Sequence, residues 1–85
     1  VIYMKYDDVI ISVLSEYSGI QSKKISKQTR LDMDLGLNSM DFAIIVSELE
    51  DRLKINLNSF SQKNTYNSVY TVSQIIDIVE RCKSE

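Results

Sequence analysis

The chain has 85 residues, with 12 acidic and 10 basic side chains for a net charge of −2, a single cysteine (Cys82), no histidine and no proline. That length allows one small domain with a thin core, and the lack of histidine excludes a serine–histidine nucleophile and, with only one cysteine, a zinc centre built on nitrogen and sulfur ligands. The balanced charge makes no case for nucleic acid; no apolar run is long enough to enter a membrane; and the lone cysteine excludes an internal disulfide and fits a reducing, cytoplasmic setting.

The first element is a helix over about residues 3–17. Tyr6, Val9, Ile10, Val13, Leu14 and Tyr17 recur at helical spacing, and Gly19 follows as a left-handed terminator. The segment from Gln21 to Leu37 is polar and irregular, and Ile25 and Leu31 are the residues expected to pin it to the core. A loop of this length in a compact domain is usually either functional or disordered. Its basic residues Lys23, Lys24, Lys27 and Arg30 read as a solvated face rather than a binding patch.

A second helix follows over about residues 39–54, with Asn38 or Ser39 as N-cap and Asp41 in the first turn, where a negative charge suits the helix dipole. Phe42, Ile45, Val46, Leu49 and Leu53 form its inward stripe. Met40, Ile44, Ser47 and Asp51 lie on another face, roughly opposite. The segment from Ile55 to Tyr70 is mixed, and Leu57, Phe60, Tyr66 and Val69 can anchor a short third helix over about 58–69. A fourth helix over about 72–83 opens on Thr71 and Gln74, which match a capping box, and carries Val72, Ile75, Ile76, Val79 and Cys82 inward. The expected fold is all-α: a single domain over residues 1–85 with three main helices and a short third one.

The segment with most chemical content is Asp34-Leu35-Gly36-Leu37-Asn38-Ser39-Met40-Asp41. Gly36 permits a tight turn just before a helix begins. Ser39 stands at the helix N-terminus, where unpaired N–H groups and the positive dipole end favour a phosphate. Taken alone, a serine ahead of an apolar run is more often a helix cap than an attachment point.

The string around Ser39 resembles the Asp-Leu-Gly-x-Asp-Ser-Leu signature of the acyl carrier protein family, which includes peptidyl and D-alanyl carriers. The resemblance extends from about Val9 to Cys82: a first helix, a long loop, the serine, a second helix and a Thr-capped last helix follow in that family's order. It implies an acyl-carrier-protein-like four-helix bundle that is not an enzyme. A phosphopantetheinyl transferase would move 4′-phosphopantetheine from coenzyme A onto Ser39, making the chain a phosphoprotein. Acyl or aminoacyl groups would then ride on the arm as thioesters, presented to loading and synthase enzymes of fatty-acid, polyketide or related biosynthesis. Asp34, Leu35, Gly36 and Asn38 would shape the attachment loop. Met40, Asp41, Ile44, Glu48 and Asp51 would form the docking face of a monomeric cytoplasmic carrier.

The chain departs from the family pattern in three places. Asn38 stands where aspartate usually precedes the serine, which removes a charge beside the site but not the ability to cap. Met40 replaces leucine. The outer face of the second helix mixes Asp41, Glu48 and Asp51 with Met40 and Ile44, where fatty-acid carriers are strongly acidic, and this points to a specialised carrier. The Asn-Ser-Met string, Leu49–Ile55 and Phe60 look like D-alanyl carriers, whereas Asp-Leu-Gly-Leu-Asn-Ser looks more like polyketide and fatty-acyl ones, so the cargo stays open. A helical interaction module without the arm is the competing expectation. A calcium loop fails, because counting from Asp32 puts Gly36 fifth and Ala43 twelfth. A hydrolase elbow fails because Gly36–Met40 is not G-x-S-x-G and no histidine exists.

Overall fold

The computed structural model describes residues 6–57 and 71–84. Among these residues three α-helices carry the fold: α1 (Tyr6–Ser18), α2 (Ser39–Leu53) and α3 (Val72–Ser84), with a 3-10 turn at Ser22–Lys24 in the loop between α1 and α2. No strand occurs among the described residues, and none of their helices is long and apolar enough to cross a membrane. α3 corresponds to the fourth helix expected from sequence. The expected short helix over 58–69, with Phe60, Tyr66 and Val69, lies outside the described residues, as does Tyr3.

Asp7 and Asp8 occupy the first turn of α1, where their charge complements the positive end of the dipole. Ile10, Val13 and Leu14 are fully buried along one stripe. Tyr17, expected on that stripe, is instead 42% exposed: it lies in the last turn, where the stripe has rotated away from the core. Gly19 closes the helix as anticipated, at φ 77, with its N–H donating to the Ser15 carbonyl at 2.9 Å.

α1 packs against both α2 and α3. From α2 come Phe42, Ile45, Val46, Leu49 and Leu53, and from α3 Val72, Ile75, Ile76 and Val79, all buried. Each fully buried aliphatic side chain of this kind contributes about 1.5–3 kcal/mol. Cys82 is half-buried and packs against this core, as its place on the apolar face suggested.

α2 ends one residue earlier than its periodicity suggested, because Lys54 turns left-handed at φ 56. Its N–H and that of Ile55 both donate to the Glu50 carbonyl, the latter at 3.2 Å, in a Schellman-type turn. The Glu50 carboxylate then accepts the Leu57 N–H at 2.7 Å, which folds the following segment back so that Leu57 is wholly buried. At the same end of the molecule Arg52 donates to Glu16 of α1 at 2.9 and 3.1 Å and to Glu48 of its own helix at 2.8 Å. The bonds to Glu16 and then to Glu48 hold the guanidinium above its usual basicity. This clamp places a cation near Glu16, a carboxylate that would otherwise stand unfavourably at the negative end of α1.

The long loop is ordered by its contacts with the helices. Ile25 and Leu31 are buried, as expected from their interruption of a polar stretch. Thr29 is buried too; its hydroxyl oxygen accepts the Ser26 N–H at 2.8 Å. The carbonyls of Thr29 and Lys27 accept the N–H groups of Val72 and Ser73 at 3.1 and 2.9 Å, and Arg30 and Thr71 form an isolated antiparallel bridge. The start of α3 is therefore capped largely by the loop. Of the capping box expected at Thr71 and Gln74, one arm forms: the Gln74 side chain accepts the Thr71 N–H at 3.0 Å. The Thr71 hydroxyl turns to that same Gln74 oxygen, at 3.4 Å, instead of to the helix backbone.

Candidate functional site

The end of the loop winds into a compact turn between Arg30 and Leu37. The Arg30 carbonyl accepts from the N–H groups of Asp34 and Leu35, both at 3.1 Å; the Asp32 carbonyl accepts from Gly36 at 3.0 Å, and that of Leu31 from Leu37 at 2.9 Å. Leu31, Leu35 and Leu37 point into the core, while Asp32, Met33 and Asp34 face outward. Gly36 sits at φ 68, the left-handed region where glycine is favoured. The Asp34 carboxylate accepts the Arg30 N–H at 2.8 Å and so ties the two ends of the turn together.

The Arg30 side chain stays solvated, 41% exposed, while taking part in the turn. Its guanidinium pairs with Asp32 at 3.3 Å while its backbone meets Asp34 and Thr71. The Arg30 side chain, with help from the Met33 N–H, holds the Asp32 carboxyl below the usual aspartate range. Lys23, Lys24 and Lys27 are exposed, as a solvated face requires.

From Gly36 the chain runs extended through Asn38, at φ −105 and ψ −179, and enters α2 at Ser39. Asn38 is the N-cap, which decides between the two candidates. Its side-chain oxygen accepts the Asp41 N–H at 2.8 Å, and the Asp41 carboxylate accepts the Asn38 N–H at 3.2 Å, completing a capping box. Leu37 before the cap and Phe42 in the helix are both buried, the placement of a hydrophobic staple that sets the angle at which the chain enters the helix.

Ser39 is thus the first helical residue, exposed on a rigid terminus, and its hydroxyl makes no hydrogen bond among the described residues. The capping box occupies the N–H groups of Asn38 and Asp41, while those of Ser39 and Met40 have no acceptor among the described residues. A phosphodiester on Ser39 Oγ fits this setting: the hydroxyl is open to solvent, two orphan donors stand beside it, and the helix dipole is positive there. Asn38 caps the helix without a charge of its own.

Of the expected docking residues, Met40 and Ile44 are exposed at 75% and 48%. Asp51 is exposed and Asp41 half-buried in its box. Glu48 is half-buried and paired with Arg52. It lines a shallow open groove with Ser47, Glu50, Asp51, Ile55 and Asn56. Sequence reasoning missed Arg30 as the hub of the turn and Arg52 as the clamp between helices. The four-residue spacing of Glu48 and Arg52 was the available signal, whereas the Glu16–Arg52 pair is too distant in sequence to leave one and the Arg30–Asp34 bond is made by the Arg30 backbone, which side-chain spacing does not reveal.

Comparison with known proteins points the same way as this geometry. The family model described as "Phosphopantetheine attachment site" matches residues 8–76. The chain is 30% identical over 71 residues to an acyl carrier protein of Trieres chinensis, an overlap covering 84% of each chain. It is 29% identical over 72 residues to an acyl carrier protein of Saccharopolyspora erythraea, covering 85% of this chain and 76% of that one.

Proposed function

This chain belongs to the acyl carrier protein family and is a phosphopantetheine carrier, and from that premise we propose that Ser39 is the attachment residue and that the cargo is an acyl group. The observation that carries the assignment is the state of Ser39: first residue of a capped helix, exposed, its hydroxyl unbonded among the described residues and adjacent to two unused N–H donors. Bound there, the prosthetic group supplies a thiol that holds acyl groups as thioesters. The protein's residues do the rest without catalysing a reaction. Asp34 and Gly36 shape the turn, Leu35 and Leu37 anchor it, and Asn38 with Asp41 holds the serine at the helix terminus. The arm's anchor stays fixed while its far end is presented to successive enzymes at high effective concentration.

The partners on this reading are a phosphopantetheinyl transferase using coenzyme A, then acyl-loading and synthase enzymes of fatty-acid, polyketide or related synthesis, all in the cytoplasm. An acyl rather than an aminoacyl cargo is favoured by the two acyl carrier relatives. The competing reading is an interaction module without the arm; Asn38, which caps the helix but leaves no charge beside Ser39, is compatible with both. The deciding experiment is intact mass before and after incubation with coenzyme A and a broad-specificity phosphopantetheinyl transferase. A gain of one phosphopantetheine group in the wild type and none in Ser39→Ala is expected. No gain in the folded wild type, with the transferase active on another carrier, would overturn the assignment.

A further inference from the structure

Two thioethers flank Ser39 in the sequence. Of the chain's three methionines, Met33 and Met40 lie among the described residues, and they are the most exposed large apolar side chains there, at 77% and 75%. Met33 stands on the outward side of the turn before α2, and Met40 follows the serine directly as the second residue of that helix. The only cysteine, Cys82, is instead half-buried against the core. Both exposed thioethers are open to an oxidant in solution. The leucine that the family signature carries after its serine has no such chemistry.

Oxygen transfer from hydrogen peroxide to Met40 Sδ forms an S=O bond, breaks the peroxide O–O bond and releases water, so that the sulfur is oxidised and the peroxide reduced. The product is a polar side chain with a strong acceptor oxygen. Helical side chains lean towards the helix N-terminus. On α2 that is where the N–H groups of Ser39 and Met40 stand without an acceptor among the described residues. A sulfoxide oxygen on Met40 therefore competes for these donors with the phosphate of an incoming arm. An enzyme that reaches Ser39 Oγ also closes over the next residue, and after oxidation it must take a dipolar oxygen out of water in place of an apolar sulfur. Met33 offers the same oxidation chemistry outside α2 and serves as the internal comparison.

We propose that Met40 is an oxidation site that governs loading: its sulfoxide slows transfer of the arm onto Ser39, and reduction restores it. The inference rests on the assignment of Ser39 as the attachment residue. The reverse step needs a dithiol, which becomes a disulfide as the sulfoxide oxygen leaves in water.

The test uses the full chain before loading, treated with hydrogen peroxide, cleared of it with catalase, and mapped by peptide mass. The loading rate is then read by intact mass with coenzyme A and a broad-specificity transferase. Wild type carrying one added oxygen on Met40 is expected to load with kcat/KM at least about fivefold below the untreated protein. Methionine sulfoxide reductase with dithiothreitol is expected to restore the rate. In Met40→Leu the treated and untreated rates agree, whereas Met33→Leu keeps the wild-type loss. Thermal melts accompany each sample. An oxidised Met40 that loads at the untreated rate would overturn the switch and leave Ser39 in place. So would a Met40 that resists peroxide while Met33 is oxidised, an equal loss in treated Met40→Leu, or a loss matched by unfolding. An untreated wild type that gains no mass, with the transferase active on another carrier, would overturn the Ser39 assignment and this inference with it.

Discussion

Asn38 and Asp41 hold each other across the first turn of α2: the Asn38 carboxamide accepts the Asp41 N–H at 2.8 Å, and the Asp41 carboxylate returns the bond to the Asn38 N–H at 3.2 Å. Each half satisfies a donor that the helix itself cannot. Asn38→Ala and Asp41→Ala are each expected to destabilise the fold by about 1 kcal/mol. The double variant should lose less than the sum, because the two side chains act as one unit. Asn38→Asp keeps an oxygen acceptor and should stay within about 0.5 kcal/mol of wild type. Urea denaturation of the wild type and the four variants, at unchanged m, checks all three statements.

Ser39→Ala separates attachment from folding. Asn38 is the cap and the Ser39 hydroxyl makes no bond among the described residues, so this variant should lie within about 0.5 kcal/mol of wild type while accepting no arm. A loss of about 1 kcal/mol or more in the same denaturation series would mean that the hydroxyl contributes to the helix start.

Lys54 carries a left-handed backbone at φ 56, a conformation that glycine adopts without strain. Lys54→Gly is expected to stabilise the protein by about 0.5–1 kcal/mol, the strain relieved less the added entropy of an unfolded glycine. Lys54→Ala, which keeps a Cβ, should give no such gain. Denaturation midpoints of the two variants decide the matter.

The Arg30 guanidinium on Asp32 makes a prediction in acid. Its hydrogen bond, with the Met33 N–H, lowers the Asp32 pKa in the folded state. The stabilisation linked to this pair is therefore complete above the unfolded aspartate value of about 3.9 and is lost as pH falls through the lower, folded value. An NMR titration should show the Asp32 carboxyl titrating below that ordinary range in the wild type and moving up towards it in Arg30→Gln. The Asp34 bond should survive in that variant, since it is made to the Arg30 backbone.

Much of this protein can be read without its structure because the relevant physics is local. The buried stripe of α2, the glycine terminator after α1 and the outward placement of Met40 and Ile44 all follow from helical periodicity and backbone preference over a few residues. The Asp34–Ser39 string was legible for the same reason, since its turn, glycine and cap are sequential neighbours. Other features depend on elements that meet only after the chain has folded. Sequence could not choose between Asn38 and Ser39 as cap, nor show that the carbonyls of Lys27 and Thr29 would close the start of α3. Arg30 became the hub of the turn before α2, and Arg52 joined α1 to α2 through Glu16, a residue 36 positions away. Pattern in the sequence set which residues could form helices and where a phosphate could be welcomed. Tertiary contacts decided which polar groups were consumed in building the fold and which, Ser39 among them, were left facing solvent, because hydrogen-bond partners are allotted by proximity in space and not along the chain.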